Sequence, residues 1–593
     1  MTIKHEKKKL LLIMGIVYLS YIVSIINSLP LHTSTDEVGA IISAAILAGR
    51  DWSGVIENSG YYGFGYYSLF FWLFRLTDSP IIIYRVIIVI TSFLRVLIIP
   101  IAYYISKYYL KIQSEKILYL SSVIMPFMYS TSVGVISNEY VLELLVWLII
   151  LIVCKIIHYQ NNKYKRNFYL CALTLIGFYS LFIHTRALAL IIAVLITVSV
   201  YILCNQNNKN KAISIILLVG ISLSYFISKI IISLYQAHIY GRNSSEIRNA
   251  HVEISTQFSI NNADTWSVWF HMLLGVIDSE ILVTGGLFLI CIVTFCLYIF
   301  EIYRKKVDEK NIFCNVIFSI SVLCMGAVIC AFLLSSWFDG MIRLWGREGA
   351  GNNYSYKGLT YIRYWNIFMP PFILAAISIL HKLNYKKILR ITIVIYIILQ
   401  ICFINYILPL IQMNSSAAST FFGLTGYHFR DEVNKSIYYK AIMISFSFFL
   451  LIFIIARTKY KWELFILFFV FMFFQQNNKV YLYDNKVKEE MASKVLSSYE
   501  KKCDLMEHEM YIDNIYLYNS SQNSDNNWKL NSIAQFYFNG YTLQEKMPER
   551  MGAKDIIISD AKNDEIQKRY KNIRCYVLDN NEVWYTYLDL FDM

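Results

Sequence analysis

Charge is scarce in this chain, and that scarcity decides its class. Of 593 residues, 16% are Asp, Glu, Lys or Arg, 57% are hydrophobic and mean hydropathy is +0.46. A soluble protein of this size cannot hide so much apolar surface. Other absences narrow the function. There is no nucleotide-binding motif and no zinc motif, and His251 with Glu253 is too thin a pair to make a metal centre. No internal repeat of fixed period occurs, which counts against a transporter built from paired repeats. Nine of the 11 cysteines lie in or beside apolar runs without metal-ligand spacing. Only Cys503 and Cys575 stand in the C-terminal tail, where a disulfide between them is open, but two cysteines do not make a framework.

What the chain does have is apolar runs of the length a helix needs to cross a bilayer. They fall near residues 10–28, 81–106, 117–134, 140–159, 168–183, 187–204, 213–235, 281–303, 312–336, 364–381, 391–410, 439–456 and 462–475. The expectation is an α-helical polytopic membrane protein with about thirteen transmembrane helices. The first run follows a basic stretch and shows no small-residue cleavage site, so it reads as a retained span. Short basic loops alternate along the chain (Lys107/Lys111/Lys116, Lys163/Lys165/Arg166, Arg304/Lys305/Lys306), and the positive-inside rule makes them cytoplasmic. The N-terminus is then cytoplasmic and the tail outside, in a plasma membrane. The tail itself, residues 479–593, carries net −4, leaving +17 on the rest of a chain whose total is +13. The basic excess is therefore a topology signal and not a nucleic-acid surface.

Two domains are expected. Residues 1–478 form the membrane part with outer loops 29–80, 236–280 and 337–363, and residues 479–593 form a small extracytoplasmic α/β domain. In the tail, 514–518 and 555–559 read as buried strands around a helix at 530–543. A closing hairpin follows at 575–578 and 583–587, and the sheet reads as mostly parallel. In the first outer loop, Val38, Ile41, Ile42, Ala45 and Ile46 repeat at helical spacing, which predicts a helix lying flat on the membrane surface. A Gly/Tyr stretch, Tyr61-Tyr62-Gly63-Phe64-Gly65-Tyr66-Tyr67, comes next.

Polar chemistry clusters on the outer side. Ser34-Thr35-Asp36-Glu37 places two adjacent carboxylates at the end of the first span. Ser34-x-x-Glu37 also fits a capping box, and a capped helix would hold a catalytic acid in place. As chemistry, a carboxylate there can take the proton from an attacking hydroxyl, and Asp36 is favoured over Glu37 as that base. Glu139 follows Ser137 and Asn138 at the start of another apolar run, where it either complements the helix dipole or serves the site. Glu143 is one turn further in, where a carboxylate is costly unless paired. His184-Thr185-Arg186 sits between two spans on the outer face, so positive-inside does not explain Arg186. Arg363 and Tyr364 lie in Tyr361-Ile362-Arg363-Tyr364-Trp365, ahead of Pro370-Pro371. Arg343, Arg347 and Lys357 form a basic cluster in a Gly-rich outer loop.

An acidic pair at the outer end of the first span, followed by a helix, resembles the GT-C membrane glycosyltransferases, among them protein O-mannosyltransferases and bacterial aminoarabinose transferases. The Arg-Tyr segment followed by proline is similar to the one closing the large outer loop in that superfamily. The resemblance implies a polyprenyl-phosphate-linked sugar as donor and a glycan, lipid or protein as acceptor. It implies transfer at the outer face, with inversion, in cell-envelope assembly. Asp36, Glu37 and Glu139 are then the catalytic candidates. Arg186, Arg363, Tyr364 and His184 are candidates for donor phosphate, and Arg343, Arg347 and Lys357 for mobile substrate contacts. No cofactor is required, though a divalent cation held by Asp36 and Glu139 fits some relatives. Two other readings stand beside this one: a polysaccharide polymerase or ligase, in which Arg343 and Arg347 matter more than Asp36, and a flippase for lipid-linked glycan.

Overall fold

The computed structural model describes residues 3–26, 29–30, 34–56, 60–128, 134–204, 208–241, 247, 259, 261–303, 312–333, 362–380, 383–411, 435–455, 458, 460–507, 511–518, 533–541, 543–544, 547–559, 562–578 and 583–588. Helices dominate. The chain runs through α1 (Ile3–Ile25), α2 (Ser34–Leu47), α3 (Ser53–Ile56), α4 (Phe71–Leu76), α5 (Pro80–Val96), α6 (Ile98–Tyr104), α7 (Glu115–Ile124), α8 (Asn138–His158), α9 (Lys163–Ile183) and α10 (Ala187–Cys204). It continues through α11 (Asn208–Tyr240), α12 (Ala263–Val283), α13 (Leu287–Tyr303), α14 (Ile312–Leu333), α15 (Met369–Leu380), α16 (Tyr385–Cys402), α17 (Lys435–Ile455) and α18 (Lys461–Glu507).

Among the described residues, eight helical stretches are long and apolar enough to cross a membrane, with six shorter apolar helices besides. The chain is a multi-pass helical membrane protein. The expected thirteen spans do not map one to one. Within the described part, residues 117–134 hold only the last eight residues of the ten-residue α7 and a single 3-10 turn. The run expected from 281 is cut at Gly285 and Gly286, whose φ angles of +57° and +88° only glycine adopts without strain. Before that cut lies α12, whose residues 263–280 were expected in an outer loop. Thr265, His271, Asp278, Ser279 and Glu280 dilute its hydropathy, and the fold answers the last three with internal hydrogen bonds.

Local chemistry sets the helix starts that matter for function. Ser79 caps α5 by accepting from the Ile82 amide, and Pro80 follows at the first helical position. Ser137 caps α8 in the same way. The helix after the acidic pair, α2, departs from expectation. From Glu37 to Ala45 it is enclosed on all faces, with Val38, Ile41, Ile42, Ala44 and Ala45 buried together with Glu37 and Ser43. Small residues allow this: a methyl group on Gly39 would overlap the Gly60 carbonyl and the Tyr62 ring.

The tail contains a five-stranded sheet built from β1 (Ile515–Tyr518), β2 (Leu543–Gln544), β3 (Ile556–Ser559), β4 (Arg574–Val577) and β5 (Val583–Thr586), in the order β2-β1-β3-β5-β4. β1 is parallel to β2 and β3, while β5 is antiparallel to β3 and β4. The sheet is mixed because the closing hairpin inserts its second strand beside β3. The helix expected at 530–543 is a short one at 533–537 among the described residues. Cys503 and Cys575 are free thiols.

The tail docks on the first loop. Trp52 Nε1 donates to the Asn539 carbonyl at 3.3 Å, and Asn539 Nδ2 donates to the Asp78 carbonyl at 2.8 Å. Phe536 meets Trp52 and Tyr84 edge-on, with centroids 6.2 and 6.1 Å apart. From the other end, α18 runs unbroken for 47 residues out of the membrane segment into the tail, where Trp584 Nε1 donates to Ser498 Oγ at 2.8 Å.

Candidate functional site

The start of α8 is the organising point. The Ser137 hydroxyl lies 3.3 Å from both the Glu139 amide and Glu139 Oε2, so it can accept from one and donate to the other. The Asn138 amide group donates to the Tyr62 and Gly63 carbonyls. Tyr67 brackets Ser137, donating to its carbonyl and accepting from its amide, both at 3.0 Å. The Gly/Tyr stretch is in turn fixed to the end of α9, where Phe64 and Gly65 amides both donate to the Phe182 carbonyl at 2.9 Å. Gly63, at φ +91°, passes so close to the Ile183 carbonyl that no side chain fits. These contacts place the α8 terminus, the 61–67 loop and the α9–α10 junction in one frame.

Glu139 stands in that frame, 2% exposed, and each oxygen faces a different arginine. Oε1 is 2.7 Å from Arg186 Nη1, and Oε2 is 2.9 Å from Arg363 Nε. The guanidiniums are not sealed in: their side chains are 13% and 26% exposed. Arg186 also lies over the Tyr364 ring, 4.1 Å from its centroid, and Nη1 is 3.5 Å from the Arg363 carbonyl. His184 Nδ1 accepts from the Arg186 amide at 3.1 Å. Burial, then the Arg186 charge, pushes the His184 imidazole down to about 3, with Glu139 opposing and Arg363 assisting. The ring is therefore neutral at physiological pH. With Nδ1 accepting, its proton sits on Nε2.

The structure thus brings together His184, Arg186, Arg363 and Tyr364, which the resemblance groups at one phosphate, and adds to them Glu139, which it groups with the catalytic acids. Glu37 lies elsewhere in the same frame, fully buried. Its Oε1 is 2.5 Å from the Tyr84 hydroxyl and accepts from the Ile136 amide at 2.8 Å, and the Tyr84 hydroxyl is also 2.7 Å from the Gly134 carbonyl. Glu37 therefore binds α2 to the segment that leads into α8. Asp36 precedes it in α2, but its side chain lies outside the described residues, as do Arg343, Arg347 and Lys357.

Sequence reasoning missed one pair of buried acids. On α12, Asp278 accepts from Gln400 at 2.6 Å and Glu280 accepts from Asn366 at 2.5 Å. Their signal was present, because carboxylates within the Leu/Val/Ile-rich stretch around 273–283 have no cheap place in a membrane. Glu143, whose need for a partner the sequence made plain, finds it in Arg95 at 3.7 Å.

No family model and no curated protein matches this sequence. Two solved structures match almost end to end. They are ArnT from Cupriavidus metallidurans bound to undecaprenyl phosphate, and the same protein in the apo state. Each gives a TM-score of 0.51 at 11% identity, covering 98% of this chain and 98% of the other. ArnT is an aminoarabinose transferase of the GT-C fold, and this chain shares that fold.

Proposed function

We propose that the protein moves a sugar from a polyprenyl-phosphate-linked donor to an acceptor hydroxyl at the outer face of a plasma membrane, in the assembly of cell-envelope glycans or glycoconjugates. One observation carries the reading. Among the described residues, two partly exposed guanidiniums converge on one buried carboxylate, that of Glu139. Planar guanidinium forks at a membrane edge suit a lipid phosphate, and the undecaprenyl phosphate of the ArnT complex is a ligand of that chemical kind.

In this mechanism Arg186 and Arg363 hold the donor phosphate and stabilise the charge that grows on it as the sugar–phosphate bond breaks. Tyr364 fixes the plane of Arg186, and the neutral His184 offers an Nε2–H donor. Asp36 accepts the acceptor's proton as its oxygen attacks the anomeric carbon from the opposite side, giving inversion. Glu37, enclosed and bonded across to Tyr84 and Ile136, holds the Asp36 helix in register. Arg343, Arg347 and Lys357 are the further basic candidates for substrate contact. A divalent cation at Glu139 would meet two guanidiniums, whose positive charges oppose it.

The test is transfer of labelled sugar from polyprenyl-phosphate donors in proteoliposomes, comparing wild type with Asp36→Asn. Transfer by wild type that collapses in the variant supports both class and base. Full transfer by Asp36→Asn removes the base assignment. No transfer from any donor, together with passage of lipid-linked glycan across the bilayer, replaces the enzyme reading with a flippase.

A further inference from the structure

Two carboxyls on α12 share one unusual pattern. Asp278 is 2% exposed and Glu280 1%, and among the described residues neither has a lysine or arginine partner. Each instead meets the side-chain amide of a residue distant in sequence: Gln400 on α16 for Asp278, and Asn366 just before α15 for Glu280. In both pairs the amide nitrogen donates to one carboxyl oxygen. In both pairs, too, the same two atoms are left over, namely the second carboxyl oxygen and the amide oxygen. Asp278 Oδ2, Gln400 Oε1, Glu280 Oε2 and Asn366 Oδ1 are all buried without a hydrogen-bond donor.

A buried acceptor left without a donor is costly, and an ionised carboxylate buried without a cation is among the costliest groups a protein can hold. One proton resolves both faults at once. On the second carboxyl oxygen it supplies a donor for the amide oxygen, and two planar forks then meet through two hydrogen bonds instead of one. That two independent pairs lack the same proton argues against an accident of side-chain placement. Among the described residues Tyr396 lies within electrostatic reach of Asp278, and its hydroxyl donates to the Ile442 carbonyl at 2.9 Å.

We infer that Asp278 and Glu280 are held as neutral acids, each closing a two-bond pair with a carboxamide, and that the Glu280–Asn366 pair positions the segment carrying Arg363 and Tyr364. Asn366 lies three residues past Arg363, and its amide nitrogen donates at the same bend where the Trp365 and Asn366 amides both bond the Ile362 carbonyl at 3.1 Å. Glu280 is thus a positioning residue. This second half rests on the phosphate-binding role proposed for Arg363, whereas the protonation does not.

Infrared spectra of the full-length protein in liposomes at neutral pH test the protonation without reference to activity. Protonated carboxyls absorb clear of the amide and carboxylate bands. Two such components are expected, one abolished by Asp278→Asn and the other by Glu280→Gln. Spectra of wild type that neither variant changes in this region overturn the inference. The positioning role is read from transfer kinetics. Glu280→Gln, whose carboxamide mimics the neutral acid toward Asn366, should keep the wild-type donor KM, while Glu280→Ala should raise it about tenfold with a smaller change in kcat. Equal KM values for the two variants would overturn the positioning role. Loss of transfer from every donor by wild type, with both infrared components present, would instead overturn the proposed function and leave the neutral acids standing.

Discussion

Glu139 and Glu143 stand one turn apart on α8, and each meets arginine, yet the two sites have opposite characters. At Glu143 the count among the described residues is one to one: Arg95 and Glu143 are 1% and 0% exposed, and the guanidinium lies near the rings of Tyr140 and Tyr21. Charge is balanced and water is shut out. At Glu139 two guanidiniums share one carboxylate, and both retain a view of the surface. The comparison teaches that an arginine–carboxylate contact is not in itself a binding site. Imbalance and access suit the contact at Glu139 to the binding role proposed for it, while balance and enclosure make a brace.

That contrast can be broken by experiment. The largest effect is expected at the brace. Glu143→Ala leaves Arg95 buried without its counter-charge and should cost about 3–5 kcal/mol of stability. Thermal unfolding in detergent measures this, and the folded fraction should keep its donor KM. Next come Arg186→Ala and Arg363→Ala. Each should lower transfer by about 10²–10³-fold while shifting the unfolding midpoint little. If the brace variant changed KM and the arginine variants unfolded, the two sites would have been told apart wrongly. A smaller effect belongs to Tyr364→Leu, which removes the ring under Arg186 and should weaken donor binding by about 0.5–2 kcal/mol. The smallest is a pH effect. His184 stays neutral down to about 3 when folded, but titrates near 6.5 in an unfolded chain. The unfolded chain therefore holds the extra proton between those values, so the His184 contribution is complete above about pH 6.5 and fades as pH falls toward 3. The acid-side drop in unfolding temperature should be shallower in His184→Gln.

Much of this was legible in the sequence, and what was not had physical reasons. Membrane-edge arginines and acids are costly enough to be conspicuous one by one, so Glu139, Arg186 and Arg363 stood out. That they meet was not visible, because Glu139 and Arg363 are 224 residues apart and only the packing of α8, α9 and the 362–368 segment closes that distance. Periodicity found α2 but misjudged its setting. An apolar stripe shows that one face is covered, whereas Gly39, Ala40 and Ala44 on the remaining faces admit neighbours that no stripe announces. At α12 the error was of another kind. Asp278 and Glu280 lowered the hydropathy of a helix whose partners, Gln400 and Asn366, lie far along the chain.

The unbroken α18 has a mechanical meaning. A helix of 47 residues is a rod of roughly 70 Å at about 1.5 Å per residue, and it carries the last apolar segment at one end and part of the tail core at the other. A flexible leader would let the sheet wander through a large volume and dilute its effect on the surface below. A rod, met from the far side by the Trp52–Asn539 and Asn539–Asp78 hydrogen bonds, holds the sheet at one height and one bearing over the first loop. A ligand bound on the tail would thereby be held at one height above the first loop, at high effective concentration for the surface beneath it.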